Sequence, residues 1–212
     1  MTKYDEHQTV AQARQQYFAA NHFGADGGYN DRWIQMKLGP LPFALPNLTA
    51  RVRAVRLHDV HHIVTDYATD WRGEFEIAAW EIAAGLRQHY VGWALDLWAL
   101  AVGLFLAPGA VWRAYLRGRQ TLNLYQRDDG EAYLTQRVGA LRQALDLHHP
   151  LRQARWSDRW HFAGWAAGSV GWTLLSAPFA LTLFPLLGIT LAILRRPTKE
   201  HPSGSGAKES ES

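Results

Sequence analysis

Cysteine is absent from the 212 residues, which excludes a disulfide framework and leaves the compartment open on that count. The first residues, Met-Thr-Lys-Tyr-Asp-Glu-His, offer no apolar h-region and no Arg/Ser-rich presequence, so no cleaved secretion signal is expected. No alternating apolar/polar run of useful length marks a β-strand, and no internal repeat is visible. The net charge is only +3, with pI near 9.3, and no RNA- or DNA-binding motif accompanies it. That balance suits an anionic membrane surface better than a nucleic-acid groove. Charge is missing altogether from two stretches, 97–112 and 163–194.

What is present begins with aromatic rings: ten Trp, eight Tyr and eight Phe, the usual material of packed cores and interfacial belts. The chain is long enough for one full domain with a sizeable core. Within it, His58-Asp59-Val60-His61-His62 is followed after eleven residues by Glu74. On a helix, His58 and His62 lie about 40° apart around the axis, with Asp59 about 60° beyond His62 on the same side. Two imidazoles and a carboxylate can thus point into one small volume, and Glu74 can close a nitrogen/oxygen shell suited to Zn²⁺, Fe²⁺ or Mn²⁺. His61 raises a rival, because His58-x-x-His61-His62 fits one box of a membrane di-iron hydroxylase. Two irons need about eight ligands and a repeated box. The other histidines (His7, His22, His89, His148, His149, His161, His201) form no second one.

The residues around the motif carry a resemblance. Arg56-Leu57-His58-Asp59, then Thr69-Asp70-Trp71-Arg72-Gly73-Glu74, then Ile77-Ala78-Ala79-Trp80-Glu81-Ile82-Ala83, are preceded by Lys37-Leu38-Gly39-Pro40-Leu41-Pro42 and followed by Leu122-Asn123-Leu124-Tyr125. Over residues 30–150 the chain resembles the bacterial branch of the small ubiquinone (coenzyme Q) biosynthesis proteins marked by His-Asp-x-x-His-x₁₁-Glu. Asp66 departs from the pattern where relatives often carry glycine, and the residues beyond His148 have no counterpart.

The resemblance implies oxidative decarboxylation of a polyprenylated hydroxybenzoate, with the ring carboxylate replaced by hydroxyl. It implies a divalent metal, zinc with iron as the alternative, held by His58, Asp59, His62 and Glu74, through which catalysis would run. The implied partners are membrane lipid, a prenylated quinone precursor and other quinone-biosynthesis enzymes, at the cytoplasmic face of a bacterial inner membrane. No nucleic acid is expected, and a homodimer is an admissible assembly. Two other readings stand beside this one: a non-catalytic lipid-binding scaffold stapled by the metal, and a membrane hydroxylase using one iron.

The chain divides into an N-terminal segment (1–30), the family-like helical domain (31–150), an apolar membrane-associated segment (151–200) and a Ser/Gly/Glu/Lys-rich tail (201–212) expected to be disordered. A short helix is predicted over 8–20, then an extended arm from Gly24 to Asn47. Asn47 is the expected N-cap of a motif helix running from Leu48 to about Tyr67. Asp70 is expected to cap the helix that bears Glu74, whose positions Phe75, Ala78, Ala79, Ile82 and Leu86 recur at helical spacing and form a core face. Glu81 is expected at the surface, the alternative being a supporting partner of the site. Arg51, Arg53 and Arg56 read as a solvated face, the alternative being that one reaches an anionic substrate carboxylate. Asp66 reads as a turn residue outside the ligand set. Residues 126–147 read as one amphipathic charged helix with Asp128 and Asp129 at its start.

The uncharged run 97–112 is shorter than the ~20 residues needed to cross a bilayer and is followed by Arg113, Arg117 and Arg119. It fits a buried core helix or a surface-inserted one. The longer run, 163–194, is flanked by Arg155 and Arg159 before it and Arg195, Arg196 and Lys199 after it, and is interrupted by Pro178 and Pro185. A helical hairpin of two short arms, both basic ends on one side, is the expectation, with a single kinked span as the alternative. The fold expected is all-α: a helical domain with one metal site and apolar, membrane-associated helices.

Overall fold

In the computed structural model, residues 2–38, 41–127 and 130–194 are described. Thr9 opens the first helix, α1 (Val10–Asn21), with a capping box: its hydroxyl accepts from the Gln12 amide while the Gln12 side chain accepts from the Thr9 amide. The arm that follows is not merely extended. It forms an antiparallel hairpin of β1 (Trp33–Leu38) and β2 (Leu41–Pro46). Pro42 and Pro46 hide the strand pattern in β2, yet a two-stranded ribbon is all edge and tolerates the missing donors. Gly39 and Pro40 lie outside the described residues.

The motif helix is α2 (Thr49–Thr65). Asn47 does not cap it; Leu48 takes that position with no side-chain bond. The Asn47 amide instead donates to the carbonyls of Gly28, Tyr29 and Asp31, and its oxygen accepts from Arg51. The opposite end is tied down carbonyl by carbonyl. His62 O accepts from the Asp66 amide at 3.1 Å, Ile63 O and Val64 O from the Arg142 guanidinium at 3.0 Å each, and Thr65 O from Arg117 at 2.9 Å. Cations at a helix C-terminus also meet the negative end of its dipole. Asp66 sits at the left-handed C-cap (φ 63°) and pairs with Arg142 at 2.8 Å, so the residue read as a turn is also an ion-pair partner.

Asp70 caps α3 (Trp71–Ala84) as expected, accepting from the Gly73 amide at 2.8 Å. A Cβ on Gly73 would stand 2.0 Å from the Ala68 carbonyl oxygen, so only glycine lets the first turn of α3 pass under that loop and deliver Glu74. The apolar run 97–112 is split between α4 (Tyr90–Leu106) and α5 (Pro108–Gly118), because Pro108 starts a new helix at its first turn. No long helix spans 126–147. Two 3₁₀ turns, Leu124–Gln126 and Ala132–Thr135, precede the short α6 (Val138–Ala144). Backbone pairing explains part of the break: the Val10 amide donates to Gln136 O and the Val138 amide to Gln8 O, which holds that stretch extended. Asp128 and Asp129 lie outside the described residues.

The expected hairpin of two short arms is replaced by one continuous helix, α7 (Trp156–Leu194), which passes through both Pro178 and Pro185. The flanking Arg195, Arg196 and Lys199 and the tail 201–212 lie outside the described residues. The architecture is thus helical apart from the hairpin, with seven α-helices among the described residues. α2 lies against α1, α4 and α6, α3 packs on α4 and α5, and α7 runs along α4. Trp80, Tyr17, Ile63, Ile77, Leu100 and Leu141 are fully buried between them. Each such side chain contributes roughly 1.5–3 kcal/mol of burial.

Gly73→Ala should lower stability by roughly 1–3 kcal/mol through overpacking against the loop, visible as a fall in the thermal midpoint by circular dichroism. Gly164→Ala, whose added Cβ meets nothing within 4 Å, should not lower it.

Candidate metal centre

Three helices supply the site. α2 contributes His58, Asp59, His61 and His62 on its last two turns, α3 contributes Glu74 and Glu81, and α4 contributes Asp96. His58 Nε2 and His62 Nε2 stand 3.2 Å apart. Glu74 faces both, with Oε2 3.4 Å from His58 Nε2 and Oε1 3.3 Å from His62 Nε2.

The tautomers follow from the partners on the far side of each ring. His62 Nδ1 lies 3.1 Å from the Tyr67 carbonyl oxygen, which can only accept, so Nδ1 carries the proton. His58 Nδ1 lies 3.1 Å from Glu81 Oε1 and donates likewise. Both Nε2 atoms of the neutral rings therefore present lone pairs to one another and to a carboxylate. In that neutral form no donor stands among the three. Such a convergence is repulsive unless a cation, or added protons, occupies its centre.

The separations fit a small ion. With ligand bonds of about 2.0–2.1 Å, two donors of a tetrahedral shell stand about 3.3–3.4 Å apart; the three edges here measure 3.2, 3.3 and 3.4 Å. The His62 side chain is 1% exposed, that of His58 21% and that of Glu74 38%. The site is closed behind His62 and open at Glu74. Three protein donors with one accessible side is the arrangement of catalytic rather than structural zinc.

The fourth expected ligand, Asp59, is not brought into this group. Its Oδ1 accepts from the Tyr17 hydroxyl at 3.3 Å and its Oδ2 from the Tyr29 hydroxyl at 2.5 Å. The reason is its bearing on α2, which aims it at α1 and the loop before β1. Tyr17 also stacks on His62, ring centroids 5.7 Å apart, so Asp59 holds the ring that backs a ligand. Burial pushes the Asp59 carboxyl upward despite those bonds.

Glu81 is not at the surface. It is fully buried and accepts from His58 and His61, with the Tyr125 hydroxyl 3.4 Å from its second oxygen. His61 belongs to this inner network rather than to a di-iron box: its Nε2 accepts from the Leu124 amide at 2.9 Å, so its Nδ1–H donates to Glu81. Burial, above all, lowers the His61 pKa and keeps it neutral. Of the three arginines read as a solvated face, Arg56 pairs with Glu131 at 2.7 Å and Arg51 with Asn47.

Asp96 was missing from the candidates. It is 4% exposed and brings a carboxyl oxygen within 4.8 Å of ligand atoms of His58 and Glu81. Burial, and then the Glu81 carboxylate, push its pKa well up, so Asp96 is the neutral acid of the pair. Its Oδ2 has no donor, a condition a neutral acid bears far better than a carboxylate. A signal existed: Asp96 is the sole charged residue of α4.

The ionisations set a pH dependence. Burial would push His58 down, but Glu81 and then Glu74 hold its protonated form well above the usual range. Burial would raise Glu74, but the hydrogen bonds from His58 and His62 bring it down to about 2. In chelated protein the His58 contribution to stability is complete below the ordinary histidine value and is lost as pH rises through the raised one; the Glu74 contribution is complete above the ordinary carboxylate value and is lost as pH falls toward 2. Chelated protein should thus melt highest between about pH 4.5 and 6.5 and lose thermal stability as pH rises through the raised histidine value. Metal-loaded protein should instead gain from pH 6 to 8, because the ion competes with protons for Nε2. Melts with and without chelator across that range test both signs. No family model, curated protein or solved structure matches this chain, so the metal chemistry assigned to it stands on its own donor atoms.

Proposed function

We propose that this protein is a metal-dependent enzyme of ubiquinone biosynthesis that carries out the oxidative decarboxylation of a polyprenylated hydroxybenzoate at a membrane, on the cytoplasmic face of a bacterial inner membrane. The observation that carries the metal part is the convergence of His58 Nε2, His62 Nε2 and the Glu74 carboxylate, three lone-pair donors around one point whenever both rings are neutral, with one side open. The residues around the motif carry the pathway part. Zinc is the ion proposed, and the two-histidine, one-carboxylate set suits ferrous iron as well.

When bound, the ion would supply a Lewis acid for the substrate's carboxylate or phenolate, charge that must be stabilised as CO₂ departs. The chain's own groups do the rest. Glu81 holds His58 and Tyr67 holds His62, so both rings keep one orientation. Tyr17 stacks on His62, and Trp80 lies buried against His61 behind it. Glu74, the exposed member, stands at the entrance where a ring carboxylate would arrive. Replacing carboxylate by hydroxyl is a two-electron oxidation, and it balances as ring acid, dioxygen and water giving ring hydroxyl, CO₂ and hydrogen peroxide. A metal that only stapled helices would have no need of an open side, which sets the enzyme reading ahead of the scaffold one.

His62→Ala should lower the bound metal from about one ion per chain, with some loss of thermal stability. The His58→Ala/His62→Ala double variant should retain none by elemental analysis. Glu74→Gln should stay folded, yet in a strain lacking the decarboxylation step it should reduce quinone synthesis by ~10–100-fold and let the carboxylated prenyl intermediate accumulate. Normal quinone at matched protein abundance would remove Glu74 from the site, and turnover by purified protein alone separates enzyme from scaffold.

A further inference from the structure

The first half of α7 is bound to the domain. Trp165 stacks on Trp93 with centroids 5.0 Å apart, Phe162 packs on Trp112 and Tyr115, and Trp172 donates to Ala94 O. The last of these ties to α4 is Trp98 Nε1 to Ser176 Oγ at 2.7 Å, and the β2 strand also packs on α7. The contacts advance along both helices together, so α7 runs in the same direction as α4.

Beyond them the surface changes character. Leu174, Leu175, Phe179, Leu181 and Leu183 are between 51% and 76% exposed. At 100° per residue their bearings cover more than half of the helix circumference. A helix apolar on so many sides is not made to lie on a flat interface or to cover one face of a neighbour; it is made to be surrounded by lipid. From Ala177 to Leu194 there is no charge in sequence, and at 1.5 Å per residue those 18 residues measure about 27 Å, close to the ~30 Å hydrocarbon thickness. Pro178 and Pro185 are tolerated in such a helix.

The end of α4 carries the same signature: Val102, Phe105 and Leu106 are 42%, 79% and 70% exposed. This end abuts the metal centre. A Cβ added to Gly103 would lie 2.7 Å from the Phe75 Cβ, so α4 passes α3 immediately beside Glu74. Trp71, 80% exposed and one turn before Glu74, has its ring 6.4 Å from that of Phe75.

We propose that the lipid-contacting surface is the end of the molecule where α3 begins, α4 ends and α7 leaves its last tie to α4, with α7 from Ala177 onward crossing the bilayer and the metal centre opening beside it. A substrate with a ring head and a long apolar tail then reaches Glu74 without leaving the lipid phase. This deepens the membrane part of the reading above and is independent of the reaction assigned there.

The lack of native cysteine makes the test clean. Single variants Leu181→Cys, Phe105→Cys and Trp71→Cys, with Gln143→Cys on α6 as control, are made in the full chain and labelled with an environment-sensitive fluorophore. They are reconstituted into vesicles of phosphatidylglycerol and phosphatidylcholine with or without brominated acyl chains. Labels at 181, 105 and 71 should be quenched several-fold by the brominated lipid, deepest at 181, while the control is unchanged. An unquenched label at 181 would overturn the crossing helix. Quenching at 181 with none at 105 and 71 would overturn the placement of the centre at the lipid. Blue-shifted labels together with a dimer mass in lipid-free detergent-exchanged protein would show that a second copy covers this end instead. Metal content is measured on every variant, so loss of activity with quenching intact counts against the decarboxylation and not against this surface.

Discussion

A carboxylate with no access to water must be surrounded by donors, and Glu81 is that carboxylate. Its demand for protons draws His58, His61 and Tyr125 toward it and leaves Asp96 beside it as a neutral acid. Donors come from α2 and the 3₁₀ turn at Leu124, the acid from α4, and Glu81 itself from α3. One buried charge thereby sets the relation of three helices. It also decides which nitrogen of His58 faces outward. Removing the charge would free the ring to turn, and the donor set would lose its geometry without losing any of its members.

Polar groups behind the ligands divide the labour. Tyr67 O fixes His62, Glu81 fixes His58, and the Asp59–Tyr17–Tyr29 group ties α1 and the following loop to the back of the motif helix. Asp59 thus contributes position where it was expected to contribute an electron pair. The consequence is a three-donor set with an open side, a better basis for chemistry than four protein donors in a closed shell.

Much of this was legible in the chain. Helical spacing pairs His58 with His62, the eleven-residue gap puts Glu74 on the next segment where it can close the set, and Asp70 is an N-cap by residue type and position. The failures have physical reasons. Helical bearing says which side Asp59 faces but not that two tyrosines from residues 17 and 29 wait there. Glu81 reads as a surface residue because its donors are distributed across the sequence. Asn47 has the right chemistry for a cap, yet three carbonyls of the preceding loop compete for it. Prolines at 178 and 185 look like breaks, but one continuous helix passes through both, since a proline can be absorbed by a kink rather than an end.

The carbonyls at the end of α2 have a consequence in time. Their donors, Arg117 and Arg142, lie 52 and 78 residues further along the chain. As the polypeptide emerges, the helix bearing the histidines is made early, yet the carbonyls of Ile63 and Val64 lack their donor until α6 exists. Loop closure over such separations is slow compared with the formation of a helical turn. The ligand helix is therefore finished by one of the last segments of the domain to appear. Any ion held by these donors would be captured late, with closure of the whole domain rather than with local folding of the motif.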